Sequence, residues 1–242
     1  MNFDIKILRV LDIGGVELWI TETIVNSWII MGLLIAFAVV VRISLRKFRD
    51  EPKGLQNVVE AMVEAFDSFL KGSAGDKLQF LGGWYFMVFA FILLSNLSGL
   101  FGLRPPTADW TITFTFALAT FTLIQVVGIK YQRGKYFKSF IEPHFLFLPL
   151  NIIGELARPV SLSFRLFGNV LGGMILMNLL YAMAPAFVLF IIPSALHFYF
   201  DVFAGVLQTY IFCVLSLSFI GVAAQVEYKP RGSLNNSASR TG

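Results

Sequence analysis

The sequence predicts an all-α polytopic membrane protein, with about five membrane-crossing helices and an amphipathic interfacial helix. Three observations carry that prediction. Of the 242 residues, 57% are hydrophobic and only 14% charged, more apolar surface than a soluble globule of this size can hide. The apolar residues, 26 phenylalanines among them, gather into long uncharged runs instead of the roughly ten-residue alternating segments of a membrane barrel. The basic residues stand in short connectors between those runs, where they act as orientation signals. That placement accounts for the net charge of +4 without any nucleic-acid surface.

Residues 1–23 are mixed in character and lack an A-x-A cleavage pattern, so they read as an external N-terminal segment and not as a removable signal. The first span, Ile24 to Val41, is apolar apart from Asn26 and Ser27 and stops at the basic run "RISLRKFRDEPK", a cytoplasmic edge. In "GLQNVVEAMVEAFDSFLKG", residues 54–72, Leu55, Val58, Val59, Met62, Phe66 and Phe69 repeat at helical spacing opposite Glu60, Glu64, Asp67 and Lys71. This amphipathic helix, over 54–71, is expected to lie on the membrane or against a partner.

Spans follow at Leu78 to Phe101 and Trp110 to Ile129. Between them "GLRPPTADW", with paired prolines and Asp109, forbids a continuous helix. Lys130, Arg133, Lys135 and Lys138 then return the chain to the cytoplasmic side.

The last two apolar segments, 145–183 and 188–225, would each be ~55 Å long as a helix, against a hydrocarbon core of about 30 Å. Either each breaks into pieces, or both are strongly tilted as one antiparallel hairpin, bent at Pro149, Pro159 and Pro193. The tilted hairpin is the favoured arrangement. Residues 24–228 thus form one transmembrane domain with a disordered tail at 229–242. Five crossings put the N-terminus outside and the C-terminus in the cytoplasm, with 14 Lys and Arg on the cytoplasmic side and three outside.

Within the two long segments only Glu155, Arg158, Arg165, His197 and Asp201 are ionisable. Each costs at least about 2.5 to 3.5 kcal/mol deep in a membrane. Arg165 lies some twenty residues from either end of its segment, too deep to snorkel, so it must face protein or water.

Arg158, Ser161, Arg165, Gly168, Asn169, Gly172 and Gly173 share one side of their helix. Gly168 and Gly172, four apart, let another helix come close beside a fixed positive charge. The implied partner is a helix with a carboxylate. Arginine does not release its proton, so Arg165 is a permanent counter-charge and not a relay. His197, Asp201, Gly205 and Gln208 share a face of the second long helix, and an antiparallel hairpin could bring Asp201 or Gln208 near Arg165.

Structural readings stand beside these. Arg165 and Asp201 could be an ion pair that only fixes the hairpin, Asn169 and Gln208 could bond between helices without further role, and Glu155 and Arg158, one turn apart, could simply pair. The lone Cys213 is a buried small hydrophobe. The sequence lacks any hydrolytic constellation, metal-ligand cluster or phosphate loop. It therefore implies no cofactor and no catalytic site of its own.

"RPVSLSFRLFGNVLGG", residues 158–173, closely resembles the core segment of subunit a of rotary F-type ATP synthases. "NLSGLFGLRPPTADW" at 96–110 and "GVLQTYIFCVLSLSFIG" at 205–221 match as well. The resemblance implies that Arg165 is the essential arginine facing the carboxylates of a rotating c ring, with Asn169 and Gln208 beside it and Ser161, Gly168 and Gly172 packed against the ring.

It further implies that Asp201 stands in the externally open half-channel, with His197 on the same face. Glu155 lies toward the cytoplasmic half-channel. Met174 occupies a position where many members carry a glutamate, which leaves Asp201 as the main acid. The implied partners are c-ring subunits, peripheral stalk b subunits, the F1 sector indirectly, and the bilayer, with no nucleic acid.

The implied function is a stator that couples H⁺ or Na⁺ flow to ATP synthesis, in a bacterial plasma membrane or alternatively a thylakoid. A different class of function, a self-contained ion transporter or channel gated by a buried Arg165 and Asp201 pair, is the alternative. A membrane scaffold whose charges only specify assembly is a third.

Overall fold

A computed structural model of the chain describes residues 7–13, 16–44, 54–141, 144–183, 185 and 188–224. Five helical stretches in it are long and apolar enough to cross a membrane: Glu22–Ser44, Leu78–Phe101, Trp110–Gln132, Phe145–Met183 and Ile192–Ala223. The protein is an all-α, multi-pass membrane protein. The tail at 229–242 lies outside the described residues.

The first element was not expected. Strands β1 (Ile7–Ile13) and β2 (Val16–Thr21) pair antiparallel, Ile13 opposite Val16. Their signal is legible in "DIGGVEL": a glycine pair between β-branched residues marks a two-residue hairpin turn. Helix α1 (Glu22–Ser44) follows directly. Its N-terminal end is fixed where Asn26 Nδ2 donates to the Arg104 carbonyl at 2.9 Å, but most of its side chains are exposed.

Helix α2 (Leu55–Ala74) is the amphipathic one, and the C-terminal part of its apolar stripe is folded onto its own chain, while Val58 and Met62 stay exposed. Leu70 is fully buried, Phe66 meets Phe86 edge-on at 5.4 Å, and Phe69 meets Tyr210 at 5.5 Å. A 3₁₀ turn (Asp76–Leu81) leads into α3 (Gly82–Leu97). Pro105 and Pro106 keep α3 and α4 (Trp110–Gln132) from joining, with a short 3₁₀ turn at Pro106–Ala108 before α4, and the Asp109 carboxylate caps α4 by accepting from Thr111 N at 2.9 Å.

Arg133, at φ 51°, turns the chain back into the short helix α5 (Gly134–Ile141), which the basic connector had not suggested.

The two long segments differ from each other. Helix α6 (Leu148–Met183) runs unbroken for 36 residues through Pro159. The second begins as α7 (Val188–His197), passes through a π-helical stretch at Phe198–Ala204, and continues as α8 (Gly205–Ala223). α6 packs against α7, the π stretch and α8 in turn, so the two form an antiparallel hairpin. The core lies between α3, α4, α6 and α8, around Tyr85, Ile92, Ile124, Leu166, Phe212 and Leu217.

Candidate functional site

Helix α6 has two unlike faces. Pro159, Leu162, Ser163, Leu166, Gly173 and Met177 are buried, whereas Ser161, Phe164, Arg165, Gly168, Gly172 and Leu176 are exposed. Both series step by three and four, the spacing of one helix side. A Cβ added at Gly168 or Gly172 would meet nothing within 4 Å, while one at Gly173 would come within 3.1 Å of the Phe200 ring. The single polar side expected from spacing is therefore divided. Gly173 packs inward, Asn169 is half-buried, and the remainder forms an open, shallow strip around Arg165.

Among the described residues Arg165 has no ion pair and no hydrogen bond. It shares a hollow of about 230 Å³ with Arg158, Ser161, Leu215 and Phe219. At its other end Arg158 pairs with Glu155 at 2.8 Å and lies 5.1 Å over the Phe219 ring. Pro159 has no N–H, so the Glu155 carbonyl receives no helical hydrogen bond and the helix wall is open beside this pair. Glu155 also meets Gln125 Nε2 at 3.5 Å, and Gln125 Oε1 accepts from the Tyr136 hydroxyl at 2.7 Å.

The second group of charges lies on and beside the π stretch and makes no ion pair with Arg165. A π turn holds more residues than an α turn, so His197 and Asp201 lose register with Gly205 and Gln208. The Arg165 and Asp201 pair that the hairpin allowed is not formed. Asp201 instead bonds His197 Nδ1 at 2.7 Å and lies against Gly99, where an added Cβ would be 2.9 Å from its carboxylate. Because a carboxylate only accepts, Nδ1 carries the hydrogen, and in the neutral ring Nε2 accepts from the Tyr181 hydroxyl at 3.3 Å.

Gly205 and Gln208 are buried, and Gln208 Nε2 has no hydrogen-bond partner among the described residues.

Asn96 on α3 holds the junction between the π stretch and α8. Its Nδ2 donates to Gly205 O at 3.0 Å and to Thr209 Oγ1 at 3.3 Å, and its Oδ1 accepts from Thr107 at 2.7 Å. Sequence reasoning missed Asn96, Gln125, Tyr136 and Tyr181. Asn96 stands in a quoted motif, but nothing in linear spacing links it to Gly205, 109 positions away.

Two groups with unlike charge thus occupy opposite ends of one helical hairpin: a His197 and Asp201 pair able to hold a proton or cation, and a Glu155 and Arg158 pair. Between them is a fixed guanidinium whose counter-charge does not come from the described residues.

The family model described as ATP synthase A chain matches residues 24–221. Among curated proteins, ATP synthase subunit a of Moorella thermoacetica is 34% identical over 219 residues, 89% of this chain and 95% of the relative. ATP synthase subunit a, sodium ion specific, of Propionigenium modestum is 34% identical over 237 residues, 86% of this chain and 76% of the relative. ATP synthase subunit a 1 of Syntrophotalea carbinolica is 36% identical over 211 residues, 84% and 85%.

Proposed function

The chain belongs to the ATP synthase A chain family, and from that premise we propose that it is the stator subunit that guides cations past a rotating c ring through two half-channels. The observation that carries the proposal is Arg165, exposed on a strip of small residues and unpaired within the described residues. A guanidinium in a membrane needs a counter-charge, and ring carboxylates supply one that comes and goes.

In this reading a cation, H⁺ or Na⁺, arrives from outside at Asp201, held ready by His197, and passes Gln208 and Asn169 to a ring carboxylate. Neutralised, that carboxylate can travel through lipid at low cost. After nearly a full turn it reaches the hollow beside Glu155 and gives its cation to the cytoplasm. Arg165 pairs with each emptied carboxylate and bars direct leakage. Every leaked charge would waste about 2.3 kcal/mol per 100 mV.

Ser161, Gly168 and Gly172 allow the ring helix to approach. Peripheral stalk b subunits hold the chain still, the F1 sector receives the torque, and the domain over 24–228 sits in a bacterial plasma membrane with the N-terminus outside. At 36 residues α6 would be ~54 Å long, so it crosses the bilayer strongly tilted. The pairing of Asp201 with His197 gives no support to a self-contained gate built from Asp201 and Arg165.

The test is ATP-driven ion pumping, with passive leak recorded alongside, in vesicles holding the assembled complex with Arg165→Ala. Loss of pumping with assembly intact is the expected result. Undiminished pumping would make Arg165 structural and end the proposal.

A further inference from the structure

The cytoplasmic end of α6 is tied to α5 by contacts that the proposed function does not use. α5 folds back so that the Tyr136 ring sits on Gly128, where an added Cβ would lie 2.5 Å from ring carbon Cε2. Asn151 Nδ2 of α6 donates to the Phe140 carbonyl of α5 at 2.9 Å. Seated in this way, Tyr136 is only 6% exposed. Its hydroxyl reaches Gln125 Oε1 at 2.7 Å, and the other end of that amide faces Glu155 Oε2 at 3.5 Å.

A primary amide has one accepting and one donating end. Glu155, as a carboxylate, can only accept, so the NH₂ group must be the end that faces it. The amide oxygen then needs a donor on the opposite side, and Tyr136 provides it. Burial first, and the nearby Glu155 charge second, push the Tyr136 phenol above its usual range, so it keeps the hydrogen it donates. Glu155 Oε1 is held separately by Arg158.

We propose that Tyr136 and Gln125 are positioning residues for Glu155: the tyrosine hydroxyl orients the amide, and the amide presents a donor to the ionised carboxylate beside the Arg165 hollow. This rests on Glu155 being the acid of the cytoplasmic half-channel. The groups facing Glu155 are Arg158 on α6, Gln125 on α4 and Tyr136 on α5. Lys135 and Lys138 of α5 are exposed, and α8 carries no charged residue on any face.

With the hydroxyl removed, the amide is free to turn and the carboxylate loses a donor to its charged form. Glu155 is then no longer held by Gln125 in one orientation.

The experiment measures ATP synthesis by the assembled complex in proteoliposomes, at fixed membrane potential and fixed Na⁺, against pH on the F1 side. Tyr136→Phe keeps the ring on Gly128 and removes only the hydroxyl. Its F1-side pH profile should depart from that of the unmutated complex, with the outer-side pH profile unmoved. Gln125→Leu, which removes both ends of the amide, should give the same departure.

Glu155→Gln provides the reference. If it alters the F1-side profile while Tyr136→Phe and Gln125→Leu superimpose on the unmutated complex, the positioning role is wrong. Equal shifts on both sides would also overturn it, because they would report general loosening. An F1-side profile untouched by Glu155→Gln would overturn the half-channel reading beneath it.

Discussion

Replacing Gly205 by alanine tests how tightly the hairpin is held to α3. An ideal Cβ at 205 would lie 2.9 Å from Asn96 Cβ, while carbon atoms in contact prefer about 3.5–4.0 Å. Both atoms are fixed by their backbones, so no rotamer change relieves the contact and α8 must retreat by roughly 0.6–1.1 Å, the difference from that preferred separation. The retreat lengthens the Asn96 bonds to Gly205 O, now 3.0 Å, and to Thr209 Oγ1, now 3.3 Å, and leaves a buried donor poorly met.

Overpacking costs about 1–3 kcal/mol and each weakened hydrogen bond about 1 kcal/mol. The better helix propensity of alanine returns roughly 1 kcal/mol. The net expectation is a loss of about 2–4 kcal/mol, read by reversible unfolding of the purified chain in mixed micelles. Asn96→Gly removes the clashing atom and should recover the packing part in the double variant, whereas Asn96→Ala keeps its Cβ and should not. Stability of Gly205→Ala within about 0.5 kcal/mol of the unmutated chain, the usual range for neutral surface changes, or equal rescue by both partners, would refute the reasoning.

Gly168→Ala and Gly172→Ala meet open space in the isolated chain, so micellar stability should hold or rise by up to about 1 kcal/mol while ATP-driven pumping falls; unchanged pumping would remove that strip as the ring contact. Gln208→Leu deletes a buried amide nitrogen that has no partner among the described residues. It should stabilise the chain by about 1 kcal/mol and lower pumping, and a stability loss in the unfolding assay would count against the account of Gln208. Asp201→Asn should cut pumping more than Tyr181→Phe, since the tyrosine reaches Asp201 only through His197; the reverse order in vesicle assays would remove Asp201 as the main outer acid.

The crossings were legible because their boundaries are written in charge and proline: Arg42 and Lys130 end two helices, and Pro105 and Pro106 separate two others. Arg165 could be singled out by depth alone, and the role proposed for it rests on a residue type that keeps its proton. The pairing of Glu155 with Arg158 was readable from a spacing of three. The placement of Asp201 was not, because the face containing His197, Asp201, Gly205 and Gln208 assumed an uninterrupted α period, and the π stretch changes that period. That stretch is held at its end by Asn96, a contact across 109 residues that no local pattern encodes. Tyr136 was hidden for a related reason: its seat is a glycine on the preceding helix, and only the folded chain brings the two together.

The open strip on α6 also has a bearing on what becomes of a copy that never finds its partners. Such a copy leaves Arg165 against lipid, at a cost of about 2.5–3.5 kcal/mol on insertion scales, a sizeable fraction of the roughly 5–15 kcal/mol that holds a typical protein together. α1, apolar and mostly exposed, can enter the membrane unaided, but α6 gains its full stability only in company. An orphan is thus marked by its own unmet charge, and if the proposed role is right the amount of this subunit that persists in a cell should follow the supply of rings.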